Sequence, residues 1–208
     1  ERAIIVDWRK DWVEVFVSLP TADILAKGGG DTRLLLPDGR IDWPLMRSIP
    51  ADIGDDLLAK MNLDNGQGLL STMSMMTHDP ATPLAFKDPI DGSIAMAVCG
   101  VPEAVELLPA SDTHTYLGAF GEPEGDILQL NVGAFAGDTR LRVYNEGRLI
   151  AHRVLTPEER AVLRVERTEP RFRWELWALA FLGVLALTAL GAAVLRRGPR
   201  KALDEAAA

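Results

Sequence analysis

The stretch 176–195, LWALAFLGVLALTALGAAVL, constrains this chain more than any other part of it. Its 20 residues carry no charge, and Thr188 is its only hydroxyl. As a helix rising ~1.5 Å per residue it would be ~30 Å long, the hydrocarbon thickness of a bilayer. A helix packed into a globular core keeps one polar face, whereas here leucine and alanine run all the way round. Trp174 and Trp177 stand at one end, and Arg196, Arg197, Arg200 and Lys201 follow the other. Aromatic residues at the boundary and basic residues on the cytoplasmic side are what a spanning helix carries. The pattern predicts one C-terminal transmembrane α-helix over 176–195, entered by a short linker over 168–175. It also predicts a basic-flanked cytoplasmic tail over 196–208 and an extracytoplasmic domain over 1–167.

That leading segment is long enough for one modest hydrophobic core. The chain has 30 acidic against 22 basic residues and a net charge of −8. An acidic surface argues against a nucleic-acid partner, whose phosphates require a basic footprint. Its one cysteine, Cys99 in the apolar run IAMAVCG, excludes an internal disulfide framework and reads as a small buried hydrophobe. The chain opens ERAIIVDW without a methionine. With a domain placed outside the cell, that predicts a removed export signal and a bacterial inner-membrane location.

Hydrophobic periodicity predicts a mainly β domain, an antiparallel meander with short helices. AIIVDW and DWVEVFVSLP read as two strands around Arg9, Lys10 and Asp11. TADILAK reads as a short helix, and RLLLPDGRIDWPL as a hairpin turning at Pro37, Asp38 and Gly39. IPADIGDDLLAKMNL predicts a helix with Asp52, Asp55 and Asp56 near its positive end. Residues 62–93, rich in proline, glycine and small polar residues, predict long loops. SIAMAVCGV then reads as a buried strand. YLGAF, DILQLNVGAF, TRLRVYN and RLIAHRVL read as consecutive strands, the last two joined through Tyr144, Asn145, Glu146 and Gly147. In LTPEERAVLRVE, Thr156, Pro157 and Glu159 form a helix-start signature.

Chemistry-bearing motifs are sparse. STMSMMTHD places Met73, Met75, Met76 and His78 close together, and thioethers with imidazole can bind reduced copper. Methionine is also an adaptable packing residue. Asp112, His114 and Tyr116 alternate as a strand would place them on one face, and His152 lies in a separate strand. No nucleophile elbow, paired-cysteine motif, zinc spacing or dinucleotide fingerprint is present. Within 176–195, Gly183, Ala186, Ala189 and Ala193 form a small-residue face that would admit another helix.

The leading expectation is a non-catalytic accessory or assembly subunit of a larger membrane complex. It would sit in the lipid bilayer beside an integral membrane partner and hold no cofactor. Two alternatives are a periplasmic copper-binding or delivery factor built on the methionine segment, and a membrane-tethered hydrolase using Asp112, His114 or His152.

Overall fold

RAIIVDW and VEVFVSLP form strands β1 (Arg2–Trp8) and β2 (Val13–Pro20), paired antiparallel as a hairpin. Their four-residue connection is closed by Arg9 N donating to Trp12 O at 2.9 Å. Both strands are buried on both faces, which explains why β1 reads as an almost unbroken apolar run. The computed structural model describes residues 1–27, 32–38, 40–47, 49–65, 70–78, 84–98, 110, 113–123, 125 and 127–166. The chain divides into two compact units, Glu1–Arg167 and Thr168–Ala208, and every described residue falls in the first.

Beyond β2 the described elements are helices α1 (Thr21–Lys27), α2 (Trp43–Met46) and α3 (Ala51–Lys60), strand β3 (Ser71–His78) and helix α4 (Pro89–Ala97). Strands β4 (His114–Gly121), β5 (Ile127–Val132), β6 (Thr139–Asn145), β7 (Arg148–Leu155) and β8 (Ala161–Glu166) follow. Six strands make one sheet in the order β3-β4-β2-β1-β6-β7, and β5 pairs with β8 in a separate ribbon. The β1–β6 pairing is parallel and the other pairings are antiparallel.

One face of the six-stranded sheet carries the main core. Ile4, Val6 and Trp8 of β1 lie beside Val13, Val15, Val17 and Leu19 of β2, with Leu117 and Ala119 of β4 and Leu141 and Val143 of β6. Trp43 and Met46 of α2, Ile53, Leu57 and Leu58 of α3, and Leu128, Leu130 and Val132 of β5 complete the same buried cluster. Each such side chain contributes about 1.5–3 kcal/mol on burial. Asp42 starts α2 by accepting a bond from Leu45 N at 3.1 Å. Asn62, at φ 49°, ends α3, and Leu63 N returns to Leu58 O at 3.0 Å. At the end of this face four buried threonines form a hydroxyl chain. Thr113 donates to Thr21 at 2.8 Å, Thr21 meets Thr115 at 3.0 Å, and Thr115 meets Thr77 at 2.9 Å.

The opposite face is covered by α4, which contacts β1, β2, β3 and β4. Asp88 caps this helix by accepting bonds from Ile90 N at 2.9 Å and Asp91 N at 3.0 Å, and Pro89 occupies the first turn. Two carbonyls just before it are held from β6. Arg142 donates to Phe86 O at 3.3 Å and Tyr144 Oη donates to Lys87 O at 2.9 Å.

This architecture corrects the mainly β expectation. It is a mixed α/β fold with two sheets and four helices among the described residues. The apolar segment before Cys99 is helix α4, because its cap at Asp88 and its small inward residues Gly92 and Ala95 suit a helix lying on a sheet. Residues 62–93 contain strand β3, whose alternation is disturbed by a bulge between Thr72 and Ser74. The expected helix after Thr156 is instead a turn followed by β8. Glu159 does accept bonds from Thr156 N at 2.9 Å and Thr156 Oγ1 at 3.0 Å, but Glu158 stands at φ 63° and redirects the chain. The strands do not run as a simple meander, since β5 leaves the main sheet and β6 lies parallel to β1. In the β6–β7 hairpin the left-handed residues are Glu146 (φ 49°) and Gly147 (φ 77°), the pattern of a type I′ turn.

The membrane expectation is also corrected. Among the described residues no helix is long and apolar enough to cross a membrane. The longest, α3, has 10 residues, or ~15 Å of helix, against the ~30 Å a bilayer core requires. The tract 176–195, with Gly183, Ala186, Ala189 and Ala193, lies outside the described residues. No described element supports the single-pass topology, the integral-membrane partner, the contact with a lipid bilayer or the inner-membrane address inferred from that tract, and those assignments are withdrawn.

Candidate functional site

The pleat of β3 divides the methionine segment between the two faces of the sheet. Met75, paired with Leu117, is buried in the main core. Met76 and His78, paired with Tyr116 and His114, face the α4 side. Met73 sits in the bulge and is exposed. Gly118, opposite Ser74, has no side chain, and this admits two methionines from different elements. A β-carbon at Gly118 would lie 3.0 Å from Met96 Sδ and 3.6 Å from the Met73 methyl. Of the four residues proposed for copper, Met75 is therefore parted into the core, while Met76, His78 and the Met73 methyl lie on the α4 side with Met96. Among the described residues no three His, Cys, Asp or Glu side chains group to hold a metal ion, and Cys99 lies outside those residues.

His78 serves as an anchor for α4. Its Nε2 lies 2.9 Å from Ala95 O, so it is the protonated nitrogen and donates to the helix carbonyl. The His78 ring meets Tyr116 edge-on at 5.0 Å, and Phe86 lies 5.5 Å from the same tyrosine. Burial depresses the His78 pKa below the ordinary imidazole value, against the opposing effect of its bond to Ala95. Burial depresses His114 as well.

His114 and His152 lie on β4 and β7, four strand spacings apart in the sheet order. That separation is ~19 Å across the sheet, too far for one catalytic set. Asp112 lies outside the described residues. His114 and His152 therefore do not belong to one site.

A carboxylate pair missed by sequence reasoning lies on the α4 side of β1 and β2. Asp7 and Glu14 are cross-strand partners, and burial raises the pKa of each above the ordinary carboxylate value. Arg9 Nε donates to Asp7 Oδ2 at 2.8 Å. Asp7 Oδ1 is buried without a hydrogen-bond partner among the described residues. The pair can retain a proton more readily than exposed carboxylates. A shallow groove of ≈ 230 Å³ lies by Leu58, Asn62 and Leu70 at the end of α3. It is smaller than the ~300–1,000 Å³ of ordinary ligand pockets, and its two acids are already engaged. Asp55 accepts from Thr72 N at 2.6 Å and Asp64 from Asn131 Nδ2 at 2.7 Å.

The most unusual surface is the outer side of α4. Gly92, Ala95 and Pro89 are buried, while Ile90 is 71% exposed and Ile94 47% exposed. Val98, at the helix end, and Met73 and Phe120, on the neighbouring strands, are exposed as well. Ile90 and Ile94 stand one turn apart and form a continuous apolar ridge. The sequence signals were the Asp88-Pro89 start and the four-residue spacing of Ile90, Ile94 and Val98. No family model matches the chain, and no curated protein is similar to it in sequence.

Proposed function

We propose that the Glu1–Arg167 unit is a non-catalytic protein-interaction module that receives an apolar segment of another protein on the outer face of α4. The observation that carries this reading is the exposed Ile90–Ile94 ridge on a helix whose other side is already committed to the sheet. Isolated surface apolar residues are common, but a ridge with apolar neighbours on adjacent elements marks an interaction surface. Asp88 and Asp91 flank Ile90 at the start of α4. Their charge favours a partner segment whose apolar contact residues have basic neighbours.

A photo-crosslinking amino acid placed at Ile94 in the full chain, in its native cells, tests the proposal. The control position is Gln129, exposed on β5. The expected result is one dominant heterologous adduct from position 94 and none of that mass from position 129. Matching adducts from both positions refute the assignment of α4. An adduct with a second copy of the chain refutes a heterologous partner.

A further inference from the structure

The six methionines of the chain fall into two groups of three. Met46, Met61 and Met75 are buried in the main core, none more than 1% exposed. Met73, Met76 and Met96 lie on the α4 side of the sheet, and solvent reaches all three. Met73 is 44% exposed, because the bulge in β3 takes it out of the strand's alternation. Met76 and Met96 are half-buried.

Two of these accessible thioethers meet where α4 rests on the sheet. Gly118 of β4 leaves a gap under the helix that a side chain would otherwise fill. A β-carbon there would lie 3.0 Å from both Cγ and Sδ of Met96 and 3.6 Å from the Met73 methyl. Met96 reaches the gap from the last turn of α4, next to Ala95, whose carbonyl accepts the bond from His78. Met73 reaches it from the edge strand. Methionine suits an irregular gap because it is unbranched and adaptable. Its sulfur is also open to oxidation, and susceptibility follows exposure.

We infer that Met73 and Met96 form an oxidation site whose modification loosens α4 from the sheet and leaves the main core intact. The oxidant is a hydroperoxide. A sulfur lone pair attacks the terminal peroxide oxygen, the O–O bond breaks, and the sulfur keeps that oxygen as a sulfoxide. The thioether loses two electrons. The peroxide is reduced to water or an alcohol, whose oxygen takes up the proton carried by the transferred one. Met73 is the entry point, since its sulfoxide can turn to water and thereby deprives Met96 of an apolar neighbour over Gly118. A sulfoxide at Met96 then sets a polar oxygen between helix and sheet, where it loses hydration unless the helix lifts. The bond from His78 to Ala95 O and the fit of Gly92 over Phe16 resist that movement. The helix concerned carries the Ile90–Ile94 ridge, but the inference is about α4 itself and stands without a partner.

The test treats the full chain with graded hydrogen peroxide under native conditions and follows each methionine by peptide mass spectrometry. Met73 should be oxidised first and Met96 after it, with Met46, Met61 and Met75 at least about tenfold slower than either. Amide hydrogen exchange of the oxidised chain should quicken at least about tenfold in α4 and stay as before in β1 and β2. Met96→Leu keeps an apolar side chain of similar volume and removes the sulfur. It should show no such quickening after the same treatment, and Met73→Leu should slow the oxidation of Met96 severalfold.

Oxidation of Met96 no faster than that of the core methionines overturns the inference, as does unchanged exchange in α4 once both sulfoxides have formed. Exchange that quickens equally in β1 and β2 also overturns it, because the core would then have opened. Quickening that persists in Met96→Leu assigns the effect to another methionine, and an unchanged rate at Met96 in Met73→Leu uncouples the pair; either result sinks the site. The crosslink from position 94, taken without peroxide, is unaffected by any of these outcomes.

Discussion

Gly92→Ala tests how α4 is held. On helix propensity alone the substitution should stabilise the chain by up to about 1 kcal/mol, since glycine is a poor helix-interior residue. The packing predicts the opposite. A β-carbon at position 92 would lie 2.5 Å from Phe16 Cγ and 2.7 Å from Cδ2. Carbon atoms in good contact sit at about 3.5–4.0 Å, so roughly 1 Å must be found. Phe16 is 2% exposed, with Ile5 on one neighbouring strand and Gly118, under Met96, on the other. The ring has no open space to enter, so α4 must lift. Lifting also stretches the 2.9 Å bond from His78 to Ala95 O. Overpacking of this kind costs about 1–3 kcal/mol, and after a propensity gain of about 1 kcal/mol a net loss of up to about 2 kcal/mol is expected.

Urea unfolding monitored by the buried Trp8 and Trp43 measures this loss as a shift in midpoint with unchanged slope. Phe16→Leu provides the coupling test. Alone it should destabilise, but in the Gly92→Ala background the additional cost should be smaller, because the smaller side chain makes room. A Gly92→Ala chain more stable than the parent, or strictly additive single effects, refutes the close packing of α4 on Phe16.

Two further perturbations address other parts of the fold. His78 has a depressed folded-state pKa, so its stabilising contribution is full above its ordinary value of 6.5 and is lost as pH falls towards the folded value. Asp7 and Glu14, whose pKa values are raised, act in the opposite sense, adding stability at low pH that is lost as pH rises through their folded values. Comparing the parent with His78→Gln isolates the histidine, because glutamine keeps a donor for Ala95 O without titrating. Between about pH 7.5 and pH 5.5 the parent should lose more stability than the variant, and parallel profiles would rule out a buried neutral imidazole. Thr115→Val removes the hydroxyl joining Thr21 to Thr77 while keeping its shape, and should cost about 1–3 kcal/mol by leaving buried hydroxyls unpaired. A urea midpoint equal to the parent's would show that the chain of hydroxyls contributes nothing net.

Local regularities were legible in the sequence, and long-range pairings were not. Strand alternation and turn residues suffice for the β1–β2 and β6–β7 hairpins, and helical spacing suffices for α1 and α3. The parallel partnership of Ile4 with Leu141 leaves no local trace, because both strands satisfy the same apolar pattern whichever neighbour they take. The SIAMAV run is apolar on both sides, so periodicity alone does not separate a strand from a helix. Its cap at Asp88 would have done so. Thr156 and Glu159 misled for a different reason. Their side chains do make the bonds of a helix start, while Val162, Leu163 and Val165 find a strand partner in β5. Among candidate site residues, closeness in sequence was a poor guide. One residue separates Met73 from Met75, yet the β3 bulge leaves one exposed and packs the other in the core.

The two faces of the sheet are covered very unequally, and this bears on where binding energy can act. One face meets three helices and a β-ribbon around a continuous core. Among the described residues, the other is covered by the segment 84–98 alone, whose regular part is nine residues long. That cover is fixed at a few points: the His78 bond to Ala95, the two β6 bonds to Phe86 and Lys87, and the fit of Gly92 over Phe16 and of Met96 over Gly118. Elements with few apolar contacts open at lower free energy than the core they cover. The exposed Ile90 and Ile94 therefore project from the one helix that covers this face among the described residues. A partner bound to that ridge would stabilise α4 on the sheet by mass action. Occupancy of α4 should consequently alter local opening around Phe16 and His78.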